Sequence, residues 1–542
     1  MKKSIIIAIS AIGVVAIGAV IYVYLTFFNG TDFSKNIPKN SVFVMKVDLM
    51  GMGKKINLKE ATESKAFRKE IMESMKSSQK EMIEKVIENP LKSGLQLASK
   101  PTLFVFNNSK TEEEPVMGFM FGISDKNNFN DFLEQINKNI TIKEPDFDGF
   151  SSANLDNENF VLYFNDKVGL ILVDLERKSL PLKRIRDEIV SLEKDKSILL
   201  NEEFTTLNNQ PNDMMVYFNG PELSKVFENN KNAQIDQIRN SIKGYPYAMT
   251  LNFNEDAVVI KALTNKSKEA SKNAILKETG FLESDLKNID PKGSPLAYWT
   301  MNMDVKKVLD LINDQSALYQ DYSDVFNQID NIAADLNIPK EDMMNVLDGK
   351  MSLSFSGIQP PNKSDSLDMY QSPTFLVNGW AHLGNKDAAT KLLDYYTTKG
   401  LLENNEGIYS YKTEFIAPEI FMTVKGKDLF ISTLKEPIQN KIQGKDWEGL
   451  KETLGKKDAL AKSATFFADL RYSSYETMIK SVLSSRESVS FDKFKNILSS
   501  FKSISMTGNN NEAEFIIQFS EKKTNSLQRI MDLLTEAYLL VS

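Results

Sequence analysis

One uninterrupted apolar block opens this chain, and everything after it alternates between two shorter patterns. From Ser4 to Phe28, 25 positions carry no charge and fourteen of them are Ile, Val, Leu or Phe. As a helix that run rises about 37 Å, enough to cross a hydrocarbon core of about 30 Å with some tilt. Its side chains contribute on the order of 4–8 kcal/mol toward insertion. Lys2 and Lys3 precede the block and Asn29 to Asp32 follow it. The positive-inside rule therefore predicts a cytoplasmic tip over 1–3, a transmembrane anchor over 4–28 and a body on the far side of a bacterial inner membrane. Tyr22, Tyr24, Phe27 and Phe28 suit the far interface. The alternative is a cleaved signal peptide and a secreted body, with small residues at Ala16-Ile17-Gly18. A signal core covers about 7–15 residues, whereas here apolar character continues ten positions past Gly18, which favours the anchor.

Beyond a linker over 29–37, short runs rich in β-branched and aromatic residues alternate with amphipathic stretches of helical spacing, and their order occurs twice. Pro38-Lys39-Asn40-Ser41 leads through Val42 to Val47 to Asp48-Leu49; Pro291-Lys292-Gly293-Ser294 leads through Leu296 to Met303 to Asp304-Val305, an offset of 253. Lys100 to Phe106 answers to Lys350 to Phe355 at 250, and the helix start Ser124-Asp125-Lys126-Asn127 answers to Gly384-Asn385-Lys386-Asp387 at 260. The hairpin Phe160 to Val173, turning at Asn165-Asp166-Lys167, answers to Phe421 to Ile431, turning at Lys425-Gly426-Lys427, again at 260. Asp213 to Asn219 pairs with Ser463 to Asp469 at 250, and Ala248 to Glu255 pairs with Ser505 to Glu512 at 257. The spread of offsets is narrow, which predicts two tandem homologous halves over 38–284 and 285–542. Within each half the order is β, long helix, ββ, helix, ββ, helical linker, β, helix, ββ. Hairpin-like pairs cannot be parallel neighbours without crossovers of a dozen or more residues. The fold class expected is α+β, each half a mainly antiparallel sheet with helices packed on it.

Composition narrows the chemistry. With 42% hydrophobic and 10% aromatic residues over 542 positions, more than one core can be buried. The net charge of −7 disfavours nucleic acid as a partner. The absence of cysteine removes disulfides, thiol nucleophiles, Cys-ligated zinc and the acylated cysteine of a lipoprotein. His382 is the single histidine, so no imidazole pair exists for a zinc site, and any Ser-His-Asp triad would have to use it. Its counterpart in the first half is Gly122, which favours a structural role. Gly51-Met52-Gly53-Lys54-Lys55 fails as a phosphate loop, because Asp48 stands where the first glycine belongs and Lys55 where the Ser/Thr should hold magnesium. Glu144, Asp146, Asp148 and Gly149 outline a calcium loop whose twelfth position is Leu155 instead of a bidentate glutamate, leaving at most loose binding by the two aspartates. Asp48, Asn219, Asp304 and Asp469 each end a strand-like run before a helical one and are expected to be N-caps. Phe67, Ile71, Met75, Met82, Val86 and Ile87 form a helical stripe expected to face the core. No catalytic, cofactor-binding or metal-binding residue is assigned.

Pro38-Lys39-Asn40-Ser41 leading to Asp48-Leu49, with Ser124-Asp125-Lys126-Asn127-Asn128-Phe129 opening a later helix, resembles a family of uncharacterised cell-envelope proteins of Bacteroidetes-type bacteria, from about Asp32 to the C-terminus. The resemblance implies an envelope location and supplies no activity or site residue. The function expected is that of a membrane-anchored extracytoplasmic module, non-enzymatic, needing no cofactor and offering surfaces to an envelope protein, a peptide or a glycan. The alternatives are a carboxylate-dependent hydrolase and a lipid or small-molecule carrier.

Overall fold

Alternation along Ser41–Val47 turns Val42, Val44 and Lys46 inward and leaves Phe43, Met45 and Val47 half-buried, which makes this run a strand, β1. The computed structural model describes residues 31–56, 90–96, 98–108, 114–136, 140–154, 160–175, 180–226, 246–264, 274–316, 320–359, 374–411, 419–451, 456–476, 495–521 and 524–541. The chain divides into two compact units, one of residues 1–270 with 521–542 and the other of residues 271–520.

In the first unit β1 lies between β3 (Thr102–Asn108) and β9 (Met214–Asn219). Beyond β9 come β10 (Pro246–Phe253) and β11 (Ala257–Thr264). Beyond β3 come β4 (Glu114–Ile123), β8 (Val168–Asp174), β7 (Phe160–Phe164), β6 (Ser151–Asn154) and β5 (Ile142–Lys143). A short β2 (Leu95–Gln96) borders the end of β4. Each of these pairings is antiparallel, as the hairpin-rich pattern requires. Strands β7 and β8 are buried on both faces. The helix Lys126–Ile136 covers one side with Phe129, Phe132 and Leu133, and the helix Leu182–Val190 covers the other with Leu182, Ile185 and Ile189.

In the second unit β12 (Ala297–Asn302) lies between β13 (Leu347–Gln359) and β19 (Ala464–Asp469), and β19 leads to β20 (Phe501–Gly508) and β21 (Glu512–Phe519). On the other side β13 leads to β14 (Thr374–Leu383), β18 (Asp428–Ser432), β17 (Ile420–Lys425), β16 (Ile408–Tyr411) and β15 (Glu403–Asn405). The core of this unit gathers Trp380, Phe430, Tyr298 and Ile289 under Ile438 of the helix Lys435–Ile442 and the Trp447–Leu450 turn. Apart from the short β2, this strand order is position by position the one found in the first unit.

Three boundaries differ from those expected. The division falls at 270/271 instead of 284/285. Residues 276–279 already belong to the second unit, where Lys277 N donates to Asn302 O and Lys277 Nζ to Asp348. The C-terminal helix Ser526–Val541 returns to the first, Ser526 N donating to Asn254 O and Asn525 Nδ2 to Phe253 O. The stretch expected as a linker is instead core, with Phe33, Ser34 and Ile37 buried from residue 33 onward. Among the described residues no helix is long and apolar enough to cross a membrane, and the expected anchor over 4–28, like the stripe from Phe67 to Ile87, lies outside them.

Candidate functional site

Antiparallel partners point to the same face of a sheet, so cross-strand rows can be read directly from the register. In the second unit Met506 faces Phe466, Phe466 faces Trp299, and Trp299 faces Leu353. Phe355 and Phe375 continue the same face, their rings 6.4 Å apart. Leu353 is 49% exposed, Phe375 48%, Met506 48% and Phe466 38%, while Trp299 is half-buried. At about 4.8 Å between strands, the four-strand row is about 14 Å wide.

The opposite face of the same strands is buried and polar. Trp380, Ser352, Thr300 and Thr465 form one inner row across β14, β13, β12 and β19. Thr300 Oγ1, Ser352 Oγ, Trp380 Nε1 and the neighbouring Asn302 Oδ1 find no hydrogen-bond partner among the described residues. Each such group carries a desolvation cost of about 1–3 kcal/mol. Asp290, fully buried, is held by Ser354 Oγ at 3.1 Å, Ser356 Oγ at 2.5 Å and Lys292 N at 2.9 Å. Around Thr300 the inner face of this sheet thus carries hydroxyls among its aromatic core residues, while the outer row is apolar. Its outer row holds no titratable group, so apolar contact is what it can offer.

The matching family model is that of a domain of unknown function (DUF4836), spanning residues 33–527. The chain belongs to the DUF4836 family. Among curated proteins no relative matches it. Crystal forms IV and III of TP0453 match with TM-scores of 0.26 and 0.25 at 9% and 8% identity, over 43% and 44% of this chain and 81% and 82% of theirs, a likeness too slight to inform the fold.

The candidate residues of this DUF4836 member are scattered and engaged. His382 Nδ1 lies 3.0 Å from Asp428 Oδ1, its cross-strand partner between β14 and β18. In place of a phosphate loop, Gly51 N donates to Asp48 Oδ1, and Lys55 Nζ bonds both oxygens of Asp213. Asp146 accepts from Arg186 Nη1 at 2.7 Å and pairs with Lys183 at 2.9 Å, while Asp148 sits in a left-handed turn at φ 53. Among the described residues no group of three His, Asp or Glu side chains could hold a metal. Asp48, Asn219 and Asp304 accept from Gly51, Glu222 and Lys307 N–H groups, as N-caps do. Asp469 does more, binding Arg471 through backbone and guanidinium and accepting from Ser474 Oγ. The carboxyls of Asp32, Asp146, Glu193, Asp348 and Asp469 all lie below their ordinary pKa.

Sequence reasoning missed three buried cations. Arg186 is enclosed between Tyr163 and Phe150, 4.8 and 5.7 Å from their ring centres, with Nε donating to Asp187. Lys441 lies 4.5 Å over Phe430 and donates to Asn288 Oδ1. Lys46 donates to Asp32 Oδ1 at 2.8 Å, to Ser34 Oγ at 2.7 Å and to Asn208. The first two were legible as charged residues on otherwise apolar helical stripes, three or four places from Leu182 and Ile438. The third was legible as a lysine in the inward register of β1.

Proposed function

We propose that this protein is a single-pass, membrane-anchored extracytoplasmic binding module, non-enzymatic, that seats the apolar face of an amphipathic helix from a partner protein on the outer sheet face of its second unit. The exposed row Met506, Phe466, Trp299 and Leu353 carries this reading. Its width suits a helix about 10–12 Å across. Met301, Met351 and Met506 lend the face a lining that adapts to differing helical partners. Covering the four most exposed side chains, each about half-buried already, contributes about 4 kcal/mol. The charge pattern Lys2, Lys3 before the 25-residue apolar block supports the anchor and an outward body. The reading of two homologous halves is supported by the shared strand order and by Lys35-Asn36-Ile37 and Lys287-Asn288-Ile289. In both, the isoleucine is fully buried and the asparagine bonds the helix packed on the inner face: Asn36 to the Ile189 and Val190 carbonyls, Asn288 to Lys441.

Trp299, Trp380 and Trp447 are the only tryptophans, and the last two are buried. Titrating the protein with a Leu/Lys amphipathic helical peptide should shift Trp299 emission to the blue and shield it from acrylamide. The double variant Leu353→Asp, Phe466→Asp should weaken binding at least tenfold, read by anisotropy of labelled peptide. Binding that is undiminished in that variant, or no binding by the unaltered chain, refutes the reading.

A further inference from the structure

The fold takes hold of the chain immediately beyond the apolar block. Thr31 Oγ1 donates to Gln96 Oε1 at 2.9 Å, and Lys100 N donates to Thr31 O at 3.2 Å. Asp32 Oδ1 accepts from Ser34 N, Ser34 Oγ and Lys46 Nζ at 2.7–2.9 Å, and Phe33, Ser34 and Ile37 are buried. Thr31 and Asp32 are therefore tied to β1, to β2 and to the entry of β3. This inference rests on the anchor reading above, in which the membrane helix ends at Phe28. Only Asn29 and Gly30 then separate it from the fold, and three backbone steps reach at most about 11 Å.

We infer that the strand ends around Thr31 form a membrane-facing edge, held against the outer lipid headgroups by this two-residue tether. The edge can be followed across the sheet. Gln96, the partner of Thr31, faces Gly122, and Gly122 faces Val168, so the Asn165–Lys167 turn lies at the same level. Strand β8 runs away from that level. Leu175, seven residues beyond Val168, is about 23 Å further along. Lys167 and Leu175 are both exposed, and both belong to one strand and its ends, so they differ chiefly in height above the edge.

The chain has no cysteine, so Lys167→Cys and Leu175→Cys each give a single labelling site. Full-length protein carrying a fluorophore at either position is reconstituted into vesicles containing a headgroup-linked quencher lipid, and its retention after an alkaline carbonate wash is checked first. The label at 167 is expected to be quenched several-fold more than that at 175. Inserting a Gly/Ser spacer of about 20 residues after Gly30 should level the two. Equal quenching without the spacer in wash-resistant protein, or a difference that survives the spacer, overturns the membrane-facing edge while leaving the anchor standing. Release by the wash overturns the anchor reading, and this inference with it.

Discussion

The clamp between Lys46 and Asp32 should respond unequally to loss of its two partners. The Lys46 side chain is 5% exposed and that of Asp32 is 47% exposed. Asp32→Ala leaves an ammonium in the interior with Ser34 Oγ and Asn208 Oδ1 as its remaining acceptors among the described residues. Stranding a buried charge in this way costs about 3–5 kcal/mol. Lys46→Met keeps the length of the stem beside Phe204, removes the charge and leaves a carboxylate that water can reach. The cost is then that of lost charge-assisted hydrogen bonds, about 1–3 kcal/mol. Burial already pushes the Lys46 amine down, with Asp32 acting against it, so removing Asp32 takes away the group that keeps the amine charged. A two-unit chain need not unfold in one step; the appropriate readout is amide hydrogen exchange of the peptide spanning β1. Asp32→Ala should speed exchange there by at least about 100-fold, Lys46→Met by clearly less, and the double variant should match Lys46→Met. Equal effects, or a larger one from Lys46→Met, would refute the view that the lysine is the buried member and the aspartate its solvated guard.

Acid should loosen the same contact. Burial alone would raise the Asp32 carboxyl, but Lys46 and the bonds from Ser34 bring it from 3.8 to about 2. A depressed folded-state pKa means stability that is complete above about 4 and is lost as pH falls toward 2. Solvent screening of the half-exposed carboxyl limits the change to about 1 kcal/mol, measurable as faster β1 exchange at pH 2.5 than at pH 5 after correction for intrinsic rates, and absent in Asp32→Asn. In the second unit, Thr300→Val removes a buried hydroxyl that has no described partner while preserving shape. It should stabilise that unit by about 1 kcal/mol, read by thermal unfolding through tryptophan emission, since all three tryptophans lie there. A loss of stability of that size would show that the hydroxyl is satisfied after all.

How much of this was legible in the sequence depends on the length of each pattern. The long strands and the Phe160 to Val173 hairpin declare themselves through β-branched and aromatic runs, and the caps at Asp48, Asn219 and Asp304 through position before a helix. Strands β5, β6, β15 and β16 have two to four residues each, too few for an alternation to show, so these four strands were absent from the expected order. The unit boundary was misplaced because Lys277 and Thr279 join the second sheet by side-chain and single backbone bonds, not by a strand. The outer face was hidden for a different reason. In β12, alternation separates Trp299 and Met301 from Tyr298, Thr300 and Asn302, but the usual rule sends the more apolar set inward. Here Thr300 and Asn302 are buried while Trp299 and Met301 are half-buried. Period alone separates two faces and does not say which one meets the core.

One explanation of the exposed row is that it is a side effect of that polar inner lining, the apolar residues being left outside because hydroxyls occupy the inside. The first unit argues against it. Its inner face is more apolar, with Val44, Phe104, Met215 and Tyr217 buried, although Lys46, Thr102 and Thr250 are buried on the same face. Its outer positions are nevertheless apolar too. Phe43 faces Phe218, which faces Tyr247, and Met45 faces Val216, which faces Met249; Tyr247 and Met249 remain exposed. An apolar outer face therefore accompanies this strand order in both units, over inner linings that differ in how apolar they are. What distinguishes the second unit is that its inner face forgoes part of the hydrophobic stabilisation and holds two hydroxyls, Thr300 Oγ1 and Ser352 Oγ, with no partner among the described residues. A unit so weakened gains proportionately more from a partner that covers its outer side, because a ligand that binds only the folded state adds RT ln(1 + [L]/Kd) to whatever stability the unit already has.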